Sequence, residues 1–338
     1  MHGAVPCRES RGPIAMMAQA NPHWVRNGWG HRVTTVDSLM RAVSRIGTLQ
    51  RGRRYVWRGM PNYKWPVQSA LYRWLLEVGV SEFPSEKEVR SWEAAILDRA
   101  RSWGIDVELG PSATDLHMLA LLQHHGLPTR LVDVTDNPMT ALWFACQPSG
   151  NGGDTTAALV AIDVTGICEY GTYQPWASPT YAMRTSPLSW SLHEALADSA
   201  ARNVPFLVRP TLPDARMRAQ EGLFISGAVP DGPPASGVQG FPLLGRKAPG
   251  ASALRTLFSP EERKRGRPRG LPFCVLTITT PLKGRVLEHL ADFHHKTERR
   301  LFPDVDGLRQ AFERGNLNLQ PIDEDLLMYP DVAGPLLH

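Results

Sequence analysis

Three polar blocks interrupt otherwise apolar sequence, and each carries side chains able to grip an anion or move a proton. Binding and catalytic residues concentrate where such blocks end structural elements. The first block is Trp57-Arg58-Gly59, with Asn62-Tyr63-Lys64-Trp65 behind it. An arginine at a strand end can fork onto a phosphate or carboxylate, and the adjacent glycine lets a ligand approach the backbone. A structural ion pair is an equally good use of Arg58. The second block runs from Gln123 through His124, His125, Thr129 and Arg130 to Asp133. It is too polar for an ordinary helix-turn-strand connection. If Gln123, Arg130 and Asp133 share a buried network, Asp133 is costly to remove. Adjacent histidines rarely point the same way, so His124 and His125 are not expected to chelate, and no metal is expected. The third block, residues 216–224, holds Gln220 and Glu221, the latter either a working carboxylate or a solvated turn residue before Gly222.

The elements that must position these blocks are legible from period and punctuation. Val36, Leu39, Met40, Val43 and Ile46 recur at helical spacing. Residues 54–57 read as a short strand entering Arg58-Gly59. Pro66 opens a helical segment with Val67, Leu71, Leu75 and Leu76, and a longer helix covers 86–103. Ser112 and Asp115 form a capping-box-like pair before Leu116, Leu119 and Ala120. Gly126 can supply a left-handed residue after that helix, and Pro128 prevents its resumption. Residues 131–134 form a strand, and Asn137-Pro138 sets the next helix, asparagine as cap and proline in the first turn. Residues 156–164, 204–208 and 272–279 are the best remaining strands, while 188–200, 286–293 and 305–312 are helical. Residues 226–270, rich in Gly, Pro, Ala and Arg, read as a long, poorly ordered insertion. The strands are spaced too irregularly for a doubly wound sheet, and no Gly-rich phosphate loop follows any of them.

Composition bounds the class. The 338 residues are 42% hydrophobic and 21% charged, as expected of a globular chain with a real core. No apolar run approaches the roughly 18 residues of a membrane span. Arg8, Glu9, Arg11 and Pro13 break up the first twenty residues, which do not read as a signal peptide. Four cysteines without CxxC spacing point to a reducing compartment, so a cytoplasmic protein is expected. The net charge of +4 is mild, and the basic runs 51–54 and 263–269 read first as solvated surface. Within the second run, Lys264-Arg265-Gly266-Arg267-Pro268-Arg269 also matches the thin, extended core of an AT-hook. Such a segment lies in the narrow minor groove of A·T-rich DNA, which makes that DNA a candidate partner.

W-R-G and N-Y-K-W-P, then Q-H-H-G-L-P-T-R-L-V-D-V-T-D-N-P-M-T-A-L-W-F-A, resemble the FRG domain family, named for its aromatic-Arg-Gly motif. The resemblance continues through R-M-R-A-Q-E-G-L-F and ends at Leu301-Phe302-Pro303-Asp304. It sets a domain at 31–312, with a tail before it, the basic 226–270 insertion within it, and a C-terminal tail at 313–338. Val132 and Val134 stand where the family more often has Leu and Trp. The order of motifs is in turn similar to that of ADP-ribosyltransferases. That similarity implies a single α+β domain with a central split or mostly antiparallel sheet flanked by helices. It also implies NAD as substrate, a macromolecular acceptor, and a toxin or phage-defence role. Arg58 would take the NAD pyrophosphate, with Gly59, Tyr63, Gln123, His124, Thr129 and Arg130 around the same cofactor. Thr135 and the 141–145 helix would form the middle element. Glu221, Gln220 or Asp133 would stabilise the oxocarbenium-like charge that develops as nicotinamide leaves. A non-catalytic nucleotide- or nucleic-acid-binding module is the alternative.

Overall fold

The computed structural model describes residues 28–48, 52–109, 114–149, 155–171, 191–210, 215–232, 237–242, 248–259, 271, 273–315 and 317. Eight strands among them form one sheet: β1 (Gly30–Val33), β2 (Tyr55–Met60), β3 (Val132–Thr135), β4 (Ala157–Asp163), β5 (Glu169–Gly171), β6 (Phe206–Arg209), β7 (Gly222–Ser226) and β8 (Phe273–Ile278). Their spatial order is β1-β8-β4-β2-β3-β7-β6-β5. The pairs β1/β8 and β5/β6 are parallel and the other five antiparallel, so this is a mixed, mostly antiparallel sheet. The helices are α1 (Val36–Thr48), α2 (Ala70–Glu77), α3 (Glu86–Ser102), α4 (Ile105–Leu109), α5 (Asp115–His124), α6 (Pro138–Cys146), α7 (Leu192–Arg202), α8 (Ala215–Ala219), α9 (Ala251–Phe258), α10 (Thr280–His294), α11 (Glu298–Leu301) and α12 (Val305–Glu313).

The sheet curls. β4 and β5 stand five strand positions apart, about 24 Å if flat, yet only residues 164–168 join them. Six extended steps span about 20 Å, and the Ile167 N–H to Val164 O turn shortens them further. The connection therefore crosses a concave face, where Val164 and Ile167 pack with Val56, Val132, Leu207 and Ile225. The opposite face alternates with it along every strand and carries the helices in two groups. Leu39, Val43, Leu142, Leu254 and Val286, from α1, α6, α9 and α10, cover one half; Leu97, Leu119 and Leu196, from α3, α5 and α7, cover the other.

Local signals explain most boundaries. Ser85 and Glu88 make a reciprocal capping box at α3, and Asn137 caps α6 with Pro138 in its first turn. Gly126 is left-handed, at φ +79, just past α5. Several expectations need correction. The cap of α5 is Thr114, which forms a box with His117. Helix α2 starts at Ala70, capped by Ser69, because Val67 is held in a bridge to Val238. Strand β1 was not expected; Trp29 and Gly30 belong to the fold, with Trp29 edge-on to Phe273 at 5.5 Å. The 226–270 segment is not merely an insertion: Val229, Val238, Phe241, Leu254, Leu257 and Phe258 are all core. The basic run at 51–54 is not all solvated either, since Arg53 pairs with the buried carboxylate of Asp163.

Candidate functional site

Arg58 lies between Val56 and Met60 on β2, facing the concave side. β2 and β3 share a single register pair, Trp57 with Thr135. Beside it, Arg58 Nη1 crosses to donate to the carbonyl oxygen of Asp133, with the Asp133 carboxylate 3.8 Å away. The side chain is 25% exposed, while its Nε is buried without a partner. Burial pulls the guanidinium below its ordinary pKa; Asp133 opposes that and Arg73 adds to it. Arg58 is thus an arginine whose fork is only half used.

Gln123 Nε2 donates to Asp133 Oδ2 at 3.0 Å, and Gln123 Oε1 accepts from Thr129 Oγ1 at 2.7 Å. Thr129 in turn accepts from Leu131 N–H and, at its carbonyl, from Leu71 N–H. Arg58, Asp133, Gln123 and Thr129 therefore form one hydrogen-bonded chain between β2, β3 and α5. Asp133 is not buried: its side chain is 62% exposed. Nor is Arg130 part of this network. It is 3% exposed, donates to Glu93 at 2.6 Å, Glu86 at 3.2 Å and the Gly227 carbonyl, and fastens α3 to the sheet. Burial raises the Glu93 pKa, with Arg130 opposing the rise.

Gly59 has a different task from the one its neighbourhood suggested. A Cβ there would collide with the Ala141 carbonyl oxygen and sit 2.6 Å from the Ala145 nitrogen. The close neighbour is α6, which lays its Ala141/Ala145 face directly on β2. Tyr63 is half-buried against the concave core, its N–H bonded to the Thr156 carbonyl. The rings of His124 and His125 meet edge-on at 5.1 Å, and no group of three metal-ligating side chains occurs among the described residues.

A second polar set lies one step along β3, where Thr135 is about 7 Å from Asp133. Thr135 Oγ1 donates to the Gln220 carbonyl and accepts from Asn137 N–H, tying the turn after β3 to the turn before β7. Glu221 forms that second turn in the left-handed region, φ +51, where non-glycine residues are uncommon. Its carbonyl accepts from Asp136 N–H. Glu221 Oε1 accepts from Asn137 Nδ2 at 2.7 Å and from Lys296 Nζ at 3.0 Å. The side chain is 46% exposed, and Oε2 has no bonded partner among the described residues. Gln220 instead sends its amide to the Leu301 carbonyl at 3.0 Å, a packing duty.

Beside this set, Arg54, Asp136, Arg209 and Glu169 close a ring of four ion pairs. Burial pulls Glu169 upward, but Arg209 and Arg54 hold it below its ordinary value of 4.5. Sequence reasoning missed this ring, Asn137 as a side-chain donor and Lys296. Partners just before β2, just after β3, on β5 and β6, and just past the end of α10 meet only through folding, so no local signal marks them. The basic residues 264–269 lie outside the described residues.

Residues 53–152 match the family model of the FRG domain. This segment is an FRG domain. No curated protein and no solved structure gave a significant match to the chain. The FRG domain contributes β2, β3 and α6, with Arg58, Gly59, Gln123, Asp133, Thr135 and Asn137. Glu221, Lys296 and Phe302 come from beyond it, yet β7 pairs with β3 and Phe302 packs against Trp143 and Phe144. No helix among the described residues is long and apolar enough to cross a membrane, and Cys146, Cys168 and Cys274 are free thiols.

Proposed function

We propose that the FRG domain and the β7 turn together form an ADP-ribosyl transfer site, using NAD and modifying a macromolecule. The observation that carries this reading is Glu221. Its carboxylate has one oxygen clamped by Asn137 and Lys296 and the other open, on a turn held in a left-handed conformation. A fixed, accessible carboxylate is what stabilises an oxocarbenium-like charge when a glycosidic bond breaks. Uncommon backbone geometry at such a position fits a site kept for function. Arg58, a quarter of whose side chain is exposed, supplies the guanidinium for a pyrophosphate. Gln220 drops out of the role because its amide serves Leu301. An effector role in toxicity or phage defence rests on the resemblance to the family.

The test is incubation of the purified chain with NAD, following nicotinamide release and label transfer to cell extract. Release that disappears in Glu221→Gln while NAD binding persists supports the reading. A second reading, a non-catalytic nucleotide- or nucleic-acid-binding module, is favoured by one observation: Arg58, Asp133, Gln123 and Thr129 form one connected hydrogen-bonded set without Glu221. Binding of NAD without any nicotinamide release selects that module. Absence of NAD binding at millimolar concentration removes the transferase reading.

A further inference from the structure

We infer that Lys296 is a positioning residue for Glu221, delivered to the site by the left-handed end of α10. As far as it concerns catalysis, this rests on the transfer reading above. Three observations carry it. First, the chain turns at His295, φ +52, and Lys296 N–H returns to the Leu290 carbonyl, so the backbone that carries the lysine is fastened to the end of α10 while its Nζ reaches Glu221. Second, the burial of the pair is lopsided. The Lys296 side chain is 15% exposed and that of Glu221 46%. An ammonium is strongly hydrated, and withdrawing it from water is costly. A pair serving stability alone gains little when its carboxylate stays half in solvent. Third, Lys296 and Asn137 both engage Oε1 and leave Oε2 open.

The result is a carboxylate fixed in direction by donors from two separate parts of the chain. Asn137 belongs to the turn that caps α6, and Lys296 to the turn that ends α10. With Asn137 alone, Glu221 retains one donor and can rotate about its side-chain torsions. With both, the free oxygen faces one way. Misplacement by about 1 Å costs on the order of a hundredfold in rate at well-ordered sites, so the lysine affects turnover more than binding.

The experiment compares wild type, Lys296→Met and Lys296→Arg. Lys296→Met is expected to lower kcat for nicotinamide release at least tenfold, leave KM for NAD within twofold, and move the thermal midpoint by no more than a few degrees. Lys296→Arg, which keeps a cation in reach, should recover most of the rate. Wild-type turnover in Lys296→Met, or a loss confined to KM, overturns the assignment. A large fall in the midpoint, with no rescue by arginine, makes Lys296 structural and also overturns it. A second measurement is independent of NAD. A water-soluble carbodiimide should join Lys296 Nζ to the Glu221 carboxyl as an amide, the lost water leaving as the urea, and peptide mass analysis should find the cross-linked pair. Should wild type be inert to NAD, the transfer reading fails by itself; the cross-link then upholds the placement of Glu221 by Lys296, and its absence overturns it.

Discussion

Arg58 and Arg130 sit in adjacent strands' neighbourhoods and have opposite duties. Arg58→Ala removes one bond to the Asp133 carbonyl from a partly exposed side chain, at a cost of about 1–2 kcal/mol. Ligand binding should be lost, and Arg58→Lys should fail as well, because an ammonium cannot replace the planar fork. Chemical denaturation alongside NAD titration separates the two effects; unfolding of Arg58→Ala would make the arginine purely structural. Arg130→Met should behave differently. It leaves Glu93, whose side chain is 1% exposed, with only the longer contact to Arg90 at 3.4 Å, and should cost about 3 kcal/mol. Asp133→Ala, at an exposed carboxylate, should cost under about 1 kcal/mol in the same urea series. Equal losses for Arg130→Met and Asp133→Ala would contradict the separation of the two networks.

Helix α6 and strand β2 are in backbone contact, and glycine at position 59 is the condition for it. Gly59→Ala puts a methyl group against the Ala141 carbonyl and the Ala145 nitrogen, where nothing can yield except the helix itself. We expect a loss of about 3 kcal/mol or more, or failure to fold. Gly284, inside α10, is the internal contrast, since a Cβ there meets nothing within 4 Å. Gly284→Ala should stabilise by about 0.5–1 kcal/mol through helix propensity. Thermal unfolding of both variants checks the pair: a silent Gly59→Ala would mean that α6 does not bear on β2 as described.

The whole molecule depends on pairings that cross the ends of the FRG match. β2 pairs with β4 and β3 with β7, and both partners lie beyond residue 152. Residues 53–152 alone should therefore lack native circular dichroism and a cooperative transition, whereas residues 28–315 hold every described strand. The ring of Arg54, Asp136, Arg209 and Glu169 holds the curl closed, joining strand ends that sequence places far apart. Its pH signature follows from Glu169, whose folded pKa lies below 4.5. Its contribution is fully present above the unfolded value and is lost as pH falls through the folded one. Stability should decline on acidification below about pH 4.5, and Glu169→Gln should be less stable at neutral pH yet show a shallower acid decline. An unchanged acid slope in that variant would exclude the ring as the source.

What the sequence determined by itself was whatever short-range chemistry controls. Asn137-Pro138 fixes the start of α6, Gly126 ends the region of α5, and the helical stripe from Val36 to Ile46 becomes α1. The polar blocks at Arg58, Gln123–Asp133 and Gln220–Glu221 were visible because polar density at element ends is a local property. The tertiary structure decided how each residue in them is used. Arg58 and Arg130 look alike in sequence, but only pairing and burial make one half-free and the other an internal clamp. Gly59 reads as room for a ligand until α6 is seen to fill that room. Gln220 and Glu221 are neighbours, and a left-handed φ at Glu221 turns them to separate partners, Leu301 and the Asn137–Lys296 pair. Lys296 had no signal at all. Its role comes from a chain turn at the end of α10 that brings it to a turn 75 residues earlier in the chain, and no spacing rule reaches across a curled sheet.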